Sequence, residues 1–201
     1  LDTRLPQNAL YVAMDGEQRG AFRAALGNDP GSERNYDSIM ESIRTVDARK
    51  AECRNKEDQE AIQRELEKRV GAAELNKLVR GELRGAVARE GRAALDVMGE
   101  EERGTSMLLR NVGRLYEEMG QYEEAKALYE EALEGRRKAL GDRDEKTLTA
   151  INDLGTVLNR MAQHEEAKAL FQEALDARRE TLGDRHPDTL RSISNMGILL
   201  K

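Results

Sequence analysis

The sequence predicts an all-α protein, a stack of helical hairpins preceded by a helical N-terminal extension, and three observations carry that expectation. Residues 123–148, EEAKALYEEALEGRRKALGDRDEKTL, recur at 165–190 as EEAKALFQEALDARRETLGDRHPDTL, a 42-residue offset with 17 of 26 positions identical. Self-similarity at such a period marks an array of small units, each burying its apolar face on the next. Of the 201 residues, 38% are apolar, 36% charged and only 3% aromatic, with no Trp. Chains rich in Ala, Leu, Glu, Lys and Arg build helices rather than strand sandwiches. Within each copy the apolar residues fall at helical spacing in two runs.

Taken in order, residues 1–56 stand outside the period. Residues 1–14 carry Leu5, Leu10, Tyr11, Val12 and Met14, apolar enough to dock and too short to fold alone. A short helix is expected over 17–26, a loop over 27–32, and a second helix over 37–53 with Ile39, Ile43 and Val46 on one face. This extension is either a helical hairpin packed on the stack or an arm that orders on a partner. Residues 57–104 read as a divergent helix pair that caps the array, since Val70-Gly71 aligns with Val112-Gly113 one period later. Glu74 and Glu90 fall where apolar or small residues are expected, as suits an outermost unit with one face toward water.

From 105 to 201 the repeats are clear, two complete and a third begun when the chain stops at Lys201. The first helix of the first unit places Leu109, Val112, Leu115, Tyr116 and Met119 on one stripe. Its second helix does so with Ala125, Leu128, Tyr129, Ala132, Leu133 and Leu140. Gly120-Gln121 breaks the two. The repeated Leu-Gly-Asp-Arg at 140–143 and 182–185 supplies a glycine stop, and Pro187 stands where a first turn tolerates a missing donor.

This arrangement resembles the tetratricopeptide repeat. The residues that carry the likeness are Leu109, Val112-Gly113, Tyr116, Ala125, Tyr129 and Ala132, then Ile151, Leu154-Gly155, Leu158, Ala167, Phe171 and Ala174. The period of 42, longer than the usual 34 or so, and the linker Leu-Gly-Asp-Arg-His-Pro-Asp-Thr-Leu are similar to the kinesin light chain type of the repeat. The resemblance covers residues 105–201 and implies a right-handed helical solenoid whose first helices line an inner wall.

Composition and motifs exclude several functions. The 33 basic and 39 acidic residues leave a net charge of −6, with no basic block for a nucleic-acid backbone or an anionic membrane. No apolar run is long enough for a membrane-spanning helix. A single cysteine, Cys53, rules out an internal disulfide framework and a thiolate zinc site. His164 and His186 lie on separate elements and read as solvent-facing or capping residues. No glycine-rich phosphate loop follows a strand. Without a nucleophile, base or cofactor constellation, no enzymatic function, cofactor or metal is expected.

The leading expectation is therefore a non-catalytic protein-interaction module that binds a segment of a partner protein. By the register of the resembling family, the inner wall presents Arg110, Asn111, Arg114, Asn152, Thr156, Arg160, Arg191 and Asn195. Guanidinium groups fork onto carboxylates and amides bond an extended backbone, so an acidic or extended peptide is the expected partner. Asp153 stands where the carboxylate-clamp subclass has Asn, so that clamp is not implied. The alternative is a peripheral subunit or assembly factor of a larger complex, docking through residues 1–56 and the outer face. The chain begins with Leu1 rather than Met, as a processed product or part of something longer would. The expected address is intracellular, in the cytoplasm or in an organelle after loss of a targeting segment.

Overall fold

In the computed structural model, the structure describes residues 72–199. The expectations for residues 1–56, Cys53 included, and for the first part of the capping pair lie outside the described residues. Those described form seven α-helices, with no strand among them: α1 Ala72–Asp96, α2 Glu100–Thr105, α3 Met107–Glu118, α4 Tyr122–Leu140, α5 Glu145–Arg160, α6 His164–Leu182 and α7 Pro187–Leu199. The described residues up to Glu90 belong to one compact unit, and those from Gly91 onward to a second that holds α2 to α7.

Local chemistry sets the boundaries in the second unit. Ser106 caps α3 by accepting the Leu108 amide at 2.9 Å, and Asp144 caps α5 by accepting that of Lys146 at 2.8 Å. One period after Asp144, the Nδ1 of His186 accepts the Asp188 amide at 3.2 Å, so this histidine opens α7. Gly141 and Gly183 end α4 and α6 at φ of 87° and 84°, a left-handed backbone that a Cβ would strain. Between α5 and α6 the turn at Ala162 takes φ 60° without the freedom that Gly120 has at the matching place.

Packing is sequential. α3 lies on α4, α4 on α5, α5 on α6 and α6 on α7, while α2 packs on α4. The shared core takes Ala125, Tyr129, Leu133, Leu148, Ile151, Val157, Ala167, Phe171 and Ala174, each at most 6% exposed. Full burial of a Leu, Ile, Val or Phe side chain is worth about 1.5–3 kcal/mol, so most of the stability of these helices comes from the faces they bury on one another. Leu140 is the exception in its stripe. It is the last residue of α4 and stays 42% exposed, as Leu182 at the end of α6 does at 39%.

Tyr129 and Phe171, one period apart, occupy matching environments. Gly113 on α3 lies under the ring of Tyr129, and Gly155 on α5 under that of Phe171. In each case a Cβ on the glycine would come within 2.6 Å of the ring Cε1. A small residue on the first helix and a ring on the second therefore form one socket, repeated once per period.

Candidate functional site

The wall formed by α3, α5 and α7 is built from a second regularity. Side chains whose numbers differ by 43, one more than the repeat period, face each other across adjacent first helices. The Nε of Arg110 donates to Asp153 Oδ2 at 2.6 Å, the Nε of Arg160 to Glu117 Oε1 at 2.7 Å, and the Nδ2 of Asn195 to Asn152 Oδ1 at 3.1 Å. These contacts tie the first helices of neighbouring units edge to edge.

The eight wall candidates separate accordingly. Arg110 is engaged with Asp153, and both side chains are about one-fifth exposed, at 18% and 21%. Arg191 pairs with Asp188 at 3.0 Å within its own helix. Thr156 donates to the Asn152 carbonyl at 2.8 Å. Asn111 and Asn152 require correction: both are buried, at 0% and 4% exposure, rather than presented on the free wall. Asn152 spends its amide N–H on the Leu148 carbonyl at 2.8 Å and its oxygen on Asn195. Neither asparagine is placed to meet a peptide.

Arg114 and Arg160 come together where α3 and α5 end. With Glu117, Glu118, Met119, Gly120 and Tyr122 they line an open cleft of about 530 Å³. The Arg160 side chain is 53% exposed, while Glu117 beneath it is only 16% exposed. Glu117 also accepts from the Tyr129 hydroxyl at 3.2 Å. Burial, followed by the nearby charges of Asp153 and Glu117, pushes the Tyr129 phenol above its ordinary value, so it remains a neutral donor. Phe171 has no hydroxyl, so this hydrogen bond belongs to the first repeat alone. The wall as a whole is charge-compensated: Arg110, Arg114, Arg160 and Arg191 stand among Asp153, Glu117, Glu118 and Asp188.

Sequence reasoning missed two buried arginines. Arg136 and Arg178, one period apart, are 1% and 0% exposed. Arg178 donates to Ser192 Oγ at 2.9 Å and to Glu145 Oε1 at 2.6 Å, joining α6 to α5 and α7. Arg136 reaches the Lys146 carbonyl at 3.1 Å and Met107 Sδ at 3.9 Å, and its Nε is left without a partner. Burial lowers its pKa, against the opposing pull of Asp153. The signal was the Arg-Arg pair preserved in both copies at 136–137 and 178–179. The second member of each pair stays outside, where Arg137 binds Asp142 and Arg179 binds Asp184.

The comparisons with known proteins agree with this geometry. A family model described as tetratricopeptide repeat matches residues 92–138, 104–180 and 146–201, which together run through more than half of the chain. The chain belongs to the tetratricopeptide repeat family. Its 42-residue period is similar to that of the kinesin light chain type of the repeat. Among solved structures, it is similar to BtubC (BKLC) from P. vanneervenii, with a TM-score of 0.51 and 21% identity over 83% of this chain. The match spans 65% of that protein, and at this identity it speaks for the fold. No curated protein matches the sequence. Tetratricopeptide repeats make the chain a protein–protein interaction module of a family that is typically non-catalytic. No helix among the described residues is long and apolar enough to cross a membrane.

Proposed function

We propose that the wall of first helices holds an extended, acidic segment of a partner protein, with the cleft at Arg114 and Arg160 as its anchoring point. The observation that carries this reading is the contrast along the wall. Both arginines hold a carboxylate, but Arg110 is only 18% exposed beside Asp153, whereas Arg160, paired with Glu117, keeps 53% of its side chain exposed over a roomy cleft that Arg114 also lines. A carboxylate on the incoming segment takes the exposed edge of Arg160 and the Arg114 head in a charge-assisted contact. Thr156, Arg191 and Asn195 continue the polar track toward α7. Preformed helices spare the module most of the ordering entropy of binding, so affinity rests on the peptide's own cost.

The test is capture of native partners by the wild-type chain and by an Arg114→Glu/Arg160→Glu variant, with circular dichroism to confirm an unchanged fold. The variant should lose partners that bind through acidic segments, and equal recovery of every partner refutes the reading. A role as peripheral subunit would draw on a different surface, and assembly would then survive both substitutions.

A further inference from the structure

The two copies of the repeat treat one set of polar side chains differently. In the first, Arg136, Asn111 and Thr147 are 1%, 0% and 0% exposed. The Nε of Arg136, both amide atoms of Asn111 and the Thr147 hydroxyl find no hydrogen-bond partner among the described residues. One period later every counterpart is satisfied. Arg178 binds Glu145 and Ser192, Asp153 accepts from Arg110 at 2.6 Å, and Thr189 donates to the Gly183 carbonyl at 2.8 Å. The difference begins with one residue. Glu145 compensates Arg178, but its counterpart one period earlier is Arg103, itself a cation and held by Glu131 at 3.0 Å. Arg136, on α4, reaches both neighbouring first helices: it donates to the Lys146 carbonyl, next to Thr147, and lies 3.9 Å from Met107 Sδ, one helical turn before Asn111. Asp153, whose charge favours the Arg136 guanidinium, is already spent on Arg110.

We propose that Arg136, with Asn111 and Thr147, forms a buried binding site for one chloride-sized monovalent anion. The chemistry of the site selects this ligand. A water molecule satisfies the dipoles and leaves the charge of the guanidinium uncompensated, whereas an anion does both. The donors are the Nε–H of Arg136, the Nδ2 amide of Asn111 and the Thr147 hydroxyl, carried on three different helices. A spherical acceptor makes no demand on their relative orientation. Full burial disfavours a larger or divalent ion, which would bring more charge into the interior than one guanidinium balances. Met107, half-buried and flexible, lies across the guanidinium and is the side by which the ion enters. In the second copy the Glu145 carboxylate takes the part of the anion, so Arg178 needs none. The site shares no residue with the α3–α5 cleft and does not depend on it.

The test is thermal unfolding of the full 201-residue chain in sodium chloride and in sodium gluconate at equal ionic strength, followed by circular dichroism. An ion that binds only the folded chain should raise the wild-type midpoint by about 4 °C once chloride reaches about ten times its dissociation constant. General effects of the two salts act on every variant alike, so the reading is the difference from Arg136→Met, which should lose the chloride-specific rise. Thr147→Val should weaken chloride severalfold, and it provides a second variant should Arg136→Met fold poorly. Arg178→Met and Arg114→Glu/Arg160→Glu should keep the rise. In crystals grown with bromide in place of chloride, anomalous scattering should place the ion beside Arg136 Nε. The proposal is overturned if wild type and Arg136→Met respond alike, if Thr147→Val leaves the chloride response whole, or if bromide is found only elsewhere.

Discussion

Three glycines at one repeat position, Gly113, Gly155 and Gly197, should respond to alanine with opposite signs. Each lies in a helix, where alanine gains about 0.5–1 kcal/mol over glycine. At Gly197 nothing opposes that gain, since the space around a new Cβ is empty. At Gly113 the Cβ would stand 2.6 Å from Tyr129 Cε1 and 3.0 Å from Cδ1, and at Gly155 it would stand 2.6 Å and 2.9 Å from the same atoms of Phe171. Ordinary carbon contacts begin near about 3.5 Å, so each ring has to move by roughly 1 Å. The rings are 1% and 2% exposed and flanked by buried alanines, so they have little room to yield. Overpacking of this kind costs about 1–3 kcal/mol. Because the propensity gain is common to all three sites, Gly197→Ala should differ from the other two by that whole amount. Urea unfolding followed by far-UV circular dichroism measures it as a raised midpoint for Gly197→Ala and lowered midpoints for Gly113→Ala and Gly155→Ala. Tyr129→Leu should relieve the cost of Gly113→Ala in a double-mutant cycle. If all three alanines moved the midpoint alike, the socket would not be a packing constraint and the reasoning would fail.

Other consequences can be checked in the same assay. Ala162→Gly should stabilise by about 1 kcal/mol, because Ala162 holds φ 60°, a conformation costing an L-residue roughly 1–2 kcal/mol; Gly120→Ala, at φ 75°, should lose a similar amount. Arg178→Met should cost about 1.5–3 kcal/mol by stripping Glu145 and Ser192 of a charged donor, whereas Arg136→Met, which removes a buried cation that no carboxylate among the described residues contacts, should be neutral or stabilising. Tyr129 gives a pH signature. Its folded pKa lies above the unfolded value near 10, so its contribution is whole below that pH. Above it, the unfolded chain releases the proton first, and stability should fall by about 1.4 kcal/mol per pH unit. Tyr129→Phe, matching the residue already present at 171, should remove that alkaline slope while costing about 0.5–1.5 kcal/mol at neutral pH through the lost bond to Glu117.

The helices and their ends were legible in the sequence because local rules govern them. Glycine at 141 and 183, proline at 187 and the small and ring positions at 42-residue spacing state where each element stops and which side it buries. The same periodicity placed Tyr129 and Phe171 in one environment before any coordinates. What periodicity could not give was the contact between one unit and the next, since that runs at a spacing of 43, the period plus the one-residue stagger of adjacent helices. Arg110 with Asp153, Glu117 with Arg160 and Asn152 with Asn195 all follow it. A residue assigned to the free wall by its place in one unit is therefore spent on its neighbour.

Burial of Asn111 and Asn152, the occupied state of Arg110 and the interior place of Arg136 and Arg178 were likewise decided by packing across units. A polar side chain's exposure depends on what the adjacent helix brings against it, and a single-helix pattern holds no record of that. The sequence by itself determined the repeat, its elements and its apolar faces, because these are set by hydrogen bonding and periodicity within a single repeat unit. The tertiary structure alone decided which charges are spent within the wall and which guanidinium, though paired, stays half exposed over a cleft, because each depends on which helix lies alongside.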